Sequence, residues 1–150
     1  MSGSSGSSPV MGWTPPAVGQ RGTWTRTFSA ADVEAFATLT GDRNPLHFDA
    51  DFAARTRAGA LIVQGGLTTG LFNALVAEVL PGPGSVFLSQ EWAFPAPVYI
   101  GDTVTAEAEV VGARADKPIT TLRCVARRAD GTEVLTGTCV VYTMLPADRS

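Results

Sequence analysis

From Thr103 to Val111 the chain alternates cleanly, with Val104, Ala106, Ala108 and Val110 set against Thr103, Thr105, Glu107 and Glu109. That period of two predicts a strand with one face in a core. Ile119 to Arg128 and Val134 to Met144 flank Ala129-Asp130-Gly131-Thr132, and the Asp-Gly pair predicts a tight hairpin between two further strands. Ser85 to Phe94, rich in β-branched and aromatic residues, predicts another strand. Pro95-Ala96-Pro97 interrupts it before Val98-Tyr99-Ile100 and a Gly101-Asp102 turn. Upstream, Trp24, Arg26 and Phe28 alternate with threonines, which predicts a short or edge strand over Thr23 to Phe28.

Ala30 to Thr40 switches to helical spacing through Val33, Phe36, Ala37 and Leu39. Ser29 is its expected N-cap, Asp32 completes a variant capping box, and Gly41 stops it. A second short helix is expected from Asp51 to Arg57, anchored by Phe52. Gln64-Gly65-Gly66 leads into Leu67 to Leu80, which is apolar on nearly every face and carries only Glu78 as a charge. Such a helix is expected to be buried all round. Gly65 and Gly66 by themselves read equally well as a plain turn into it. The order of elements predicts an α+β fold, an antiparallel sheet wrapped around the long buried central helix.

Composition narrows the function classes. Hydrophobic residues make up 45% and charged residues 17%, with a formal net charge of -3. No basic stripe favours nucleic acid, and no apolar run is long enough for membrane insertion. Residues 1–8, Met-Ser-Gly-Ser-Ser-Gly-Ser-Ser, lack the apolar core of a signal peptide and read as a flexible leader or tag. Residues 9–150 are expected to form a single domain. Cys124 and Cys139 have no metal spacing; buried thiols in a reducing, cytoplasmic setting fit them better than a cross-strand disulfide.

The chemistry concentrates in Gly41-Asp42-Arg43-Asn44-Pro45-Leu46-His47, which holds the one histidine of the chain. Asn44 precedes proline and is pushed out of the helical region, so the segment reads as a stiff polar loop between two helices. A carboxylate and an imidazole in such a loop could activate water. A satisfied surface or core histidine is the competing reading. Arg114, Lys117, Arg123, Arg127 and Arg128 read as solvated charges rather than as a phosphate site.

The run Phe36-Ala37-Thr38-Leu39-Thr40-Gly41-Asp42-Arg43-Asn44-Pro45-Leu46-His47, with small Ala53 after it, resembles the signature of the MaoC-like (R)-specific enoyl-CoA hydratases. The similarity continues through Ile62 to Leu71 and through Phe94 to Val104. It covers about Val18 to Met144.

This resemblance implies a hot-dog fold and hydration of trans-2-enoyl-CoA to (R)-3-hydroxyacyl-CoA, with acyl-CoA as substrate. It implies Asp42 and His47 as the catalytic pair and Gly65 as a backbone oxyanion donor opening the central helix. Asn44, Gly66 and Asn73 are the expected substrate-binding positions, Asn44 also as a brace of the loop. The family commonly has histidine before this glycine and methionine after it, where this chain has Gln64 and Gly66. No metal or redox cofactor is required, coenzyme A being part of the substrate, and a homodimer with sheets joined edge to edge is implied. A hot-dog thioesterase and a non-catalytic acyl-CoA-binding subunit are the alternatives.

Overall fold

A computed structural model of the chain describes residues 10–146; the expected leader at 1–8 lies outside them. Among the described residues, five strands form one antiparallel sheet: β1 (Arg21–Thr27), β2 (Ser85–Ala93), β3 (Thr103–Ala113), β4 (Ile119–Arg128) and β5 (Glu133–Thr143). Their order is β1-β3-β4-β5-β2, so β1 and β2 are the edges. The helices are α1 (Ala30–Thr40), α2 (Pro45–Phe48), α3 (Ala50–Ala54) and α4 (Gly65–Glu78). None of them is long and apolar enough to cross a membrane.

The alternation in β3 does what its period predicts: Val104, Ala106, Ala108 and Val110 are fully buried. With Leu122, Cys124, Ala126, Leu135, Cys139 and Val141 they make the inner face of the sheet. Leu71, Phe72, Leu75 and Val76 of α4 fill its concavity. Each such side chain contributes about 2 kcal/mol on burial, so α4 is held far more strongly by packing than by helix propensity.

α4 differs from the expected helix in two ways. It starts at Gly65 rather than Leu67 and ends at Glu78 rather than Leu80. It is also not buried all round, because a single sheet covers one side of it. Gly65, Gly66, Asn73 and Glu78 are exposed on this chain.

Close packing on the sheet explains one glycine. A Cβ on Gly137 in β5 would overlap the carbonyl oxygen of Glu91 and sit 2.6 Å from the Trp92 ring. The missing side chain lets Trp92 of the edge strand lie across β5 and stack on Phe72, with ring centroids 5.1 Å apart. Cys124 and Cys139 are free, buried thiols, with sulfurs 3.7 Å apart. The contact with Cys139, reinforced by burial, pushes the Cys124 thiol up.

Candidate active site

The segment from Ser29 to Gly65 links β1 to α4 and holds Asp42, Asn44 and His47, the candidate site residues. α1 begins with the capping box: Ser29 Oγ accepts from Asp32 N–H, and Asp32 accepts from Ser29 N–H. It ends at Gly41, whose φ of 86° is left-handed and favours glycine.

Beyond that cap the chain turns back, and the structure departs from the expected loop. His47 lies in α2, a single helical turn. Asn44 (φ -53°, ψ 132°) is non-helical, as a residue before proline must be, yet it is the N-cap of that turn. Its Oδ1 accepts from Leu46 N–H at 3.1 Å, and Pro45 supplies a first helical position that needs no N–H. The short helix expected over 51–57 is Ala50–Ala54 instead. Asp49 caps it at Phe52 N–H, and it stops at Arg55.

These caps set the relative placement of Asp42 and His47. Asp42 Oδ1 accepts from Asn44 N–H at 3.3 Å, leaving Oδ2 turned toward His47. His47 is 7% exposed. Its Nδ1 lies 2.7 Å from the carbonyl oxygen of Ile62. A carbonyl only accepts, so Nδ1 carries a hydrogen and Nε2 is the lone-pair nitrogen of the neutral ring. Nε2 and Asp42 Oδ2 are 3.7 Å apart. That is too long for a direct hydrogen bond. Two acceptors at this separation can both take hydrogen bonds from one water.

Arg43, between Asp42 and Asn44, braces the turn from outside. Both its terminal nitrogens reach Glu34 of α1 at 3.1 Å, and its guanidinium lies 5.6 Å from the Phe48 ring centroid in α2. The Arg43 hydrogen bonds hold the Glu34 carboxyl below its usual range. Nothing about Arg43 in the sequence pattern marks this role, because Glu34 comes into reach only when α1 folds.

Ile62 joins this pair to α4. Its carbonyl holds His47, and it lines a cleft of about 350 Å³ with Val63, Gly65, Phe94, Val98 and Val134 among its walls. The N–H groups of Gly65 and Gly66 are the first two of α4 and have no acceptor within it. They carry the positive end of the helix dipole. A Cβ on Gly65 would come 3.1 Å from the Phe94 ring, and one on Gly66 would come 2.6 Å from the tip of Phe36. Neither glycine has room for a side chain without a ring moving.

The remaining positions are placed differently. Gly66 and Asn73 are exposed and do not line the cleft, and neither Asp42 nor His47 is among its lining residues in this single chain. Gln64 caps α4 without a side-chain cap and is 1% exposed. Its Nε2 donates to Val33 O of α1 at 3.0 Å, tying the head of α4 to the helix that precedes the Asp42 turn. Arg114, Arg123, Arg127 and Arg128 each pair with a carboxylate.

Known proteins with this arrangement point one way. A family described as "MaoC like domain" matches residues 15–133. The chain is 47% identical over 124 residues to the (R)-specific enoyl-CoA hydratase of Aeromonas caviae, across 83% of this chain and 92% of that protein. It is 39% identical over 129 residues to the (R)-specific enoyl-CoA hydratase of Rhodospirillum rubrum, covering 86% and 88% of the two chains. The solved structure of an (R)-hydratase from A. caviae involved in PHA biosynthesis superposes with a TM-score of 0.82 at 45% identity, over 86% of this chain and 98% of that one. The sheet around α4 is therefore a hot-dog fold, and the chain belongs to the MaoC-like dehydratase family.

Proposed function

We propose that the protein reversibly hydrates trans-2-enoyl-CoA to (R)-3-hydroxyacyl-CoA. The observation that carries this reading is the pair Asp42 Oδ2 and His47 Nε2, 3.7 Å apart, with the other imidazole nitrogen committed to Ile62. Hydration needs a base for the water that attacks C3, a proton for C2, and a partner for the negative charge that grows on the thioester oxygen. A water shared by the pair gives up one proton as its oxygen bonds to C3. The same pair can return a proton to C2 on the same face. The N–H of Gly65, at the head of α4 and in the cleft wall, supplies the third requirement. Such a donor is worth roughly 3–4 kcal/mol in comparable oxyanion sites.

The active form in this reading is a homodimer. β2 is an open edge with Val86 and Leu88 41% and 56% exposed. Such an edge is a ready template for a second copy, which would also cover the bare side of α4. Full activity of a species that sediments as a monomer would contradict it.

The test is loss of enoyl absorbance across trans-2-enoyl-CoA chain lengths, with chiral analysis of the product and a thiol assay alongside. The (R)-product without free thiol is expected, with Asp42→Ala and His47→Ala each falling by orders of magnitude while remaining folded. Thiol release without hydration would make the protein a thioesterase instead. Tight binding with no turnover would make it a binding subunit.

A further inference from the structure

We infer that Arg55 and Arg57, on the turn that leaves α3, bind the phosphate groups of a coenzyme A thioester at the rim of the cleft. The inference rests on the proposed substrate and places its anionic end. With a net charge of -3, the chain as a whole does not attract a polyanion, so capture falls to local positive charge. Among the described residues, Arg21, Arg26, Arg43, Arg114, Arg123, Arg127 and Arg128 are each paired with a carboxylate. Arg55, Arg57 and Lys117 have no such partner among them.

Position separates these three. Lys117 lies in the β3–β4 connection, beyond the far end of β3. The arginine turn lies at the near end, where Tyr99 Oη donates to Ala58 O at 2.7 Å just ahead of that strand. Eleven residues of β3 rise by about 35 Å, so Lys117 is remote from the cleft. Tyr99 follows Pro97 and Val98, which wall the cleft beside Gly65. It also pairs with Ile62, whose carbonyl holds His47.

The turn is itself well built. Thr56 Oγ1 donates to Ala53 O at 2.7 Å, Ala58 N–H to Thr56 Oγ1 at 3.2 Å, and Gly59 N–H to Thr56 O at 3.1 Å. Both guanidinium groups are exposed on this ordered turn, two residues apart. A planar guanidinium suits a phosphate, which accepts two parallel N–H bonds.

The experiment compares wild type with the Arg55→Ala/Arg57→Ala double variant on trans-2-butenoyl thioesters of coenzyme A, 4′-phosphopantetheine and pantetheine. For the coenzyme A thioester, KM should rise about tenfold with kcat within twofold, and the difference should shrink at 0.5 M salt. The pantetheine thioester, which has no phosphate, should not distinguish the two proteins. If the phosphopantetheine thioester behaves like coenzyme A, the arm's phosphate is the ligand; if it behaves like pantetheine, the nucleotide phosphates are. An unchanged KM for coenzyme A, or an equal rise for pantetheine, overturns the inference. Calorimetry with free coenzyme A decides the matter independently of turnover. Weaker binding to the variant supports the arginines, and equal binding removes them even if wild type hydrates nothing, a result that would sink only the proposed reaction.

Discussion

The Nδ1–H of His47 is held by the carbonyl of Ile62 at 2.7 Å, and that one bond decides which imidazole nitrogen faces Asp42. It also joins the Asp42–His47 turn to the segment that runs into α4. His47→Asn keeps an amide near Nδ1 but removes Nε2, while His47→Leu removes both. Hydration should fall about 10²–10⁴-fold in each. Thermal melts should separate them, His47→Leu being less stable by about 1 kcal/mol because Ile62 O loses its donor. Equal melting temperatures would show that the Ile62 bond contributes nothing.

Arg43 and Glu34 act on the same turn from outside it. Arg43→Ala and Glu34→Ala should each lower kcat about twofold to fivefold with little change in KM. The double variant should match Arg43→Ala, which already breaks the ion pair, while Glu34→Ala, which spares the Phe48 contact, should fall no further than Arg43→Ala. Steady-state kinetics at low and high salt check this. Raising salt should lower wild-type kcat and leave the variants unaffected, since the pair is exposed.

Two glycines should differ sharply on substitution by alanine. At Gly137 the added carbon meets the backbone of Glu91, which is locked in the β2–β5 ladder. Gly137→Ala should cost about 3 kcal/mol or more. At Gly66 it meets only the tip of the Phe36 ring, which can swing. Gly66→Ala should cost about 1 kcal/mol, and adding Phe36→Leu should recover it. Denaturant midpoints give both values.

Asp32 ties the start of α1 to β1. The hydrogen bond from Arg26 at 2.7 Å, with that from Ser29 N–H, holds its carboxyl below the ordinary range. The native state therefore binds this proton less readily than the unfolded chain. Its stabilisation is complete above the unfolded pKa of about 3.9 and is lost as pH falls through the lower folded value. Asp32→Asn should be less stable by about 0.5–1 kcal/mol at neutral pH. The gap should close as melts are taken from about pH 5 down into the acid range, and a constant gap would rule the linkage out.

What the sequence determines here is local. The period of β3, the Asp130-Gly131 hairpin, the Ser29–Asp32 box and the Gly41 stop depend on residues within a few positions of one another, and each forms where its pattern lies. The catalytic candidates are also nominated by a short run, Asp42 to His47. Tertiary structure decides what no window can hold. Asn44-Pro45 reads as loop chemistry until its cap bond starts α2. The tautomer of His47 depends on a carbonyl 15 residues away, and the seating of α4 on α1 depends on Gln64 reaching Val33, 31 residues back. The bare side of α4 has the same cause. Hydrophobicity tells how much of a helix should leave water, but only the packed sheet decides which side it covers.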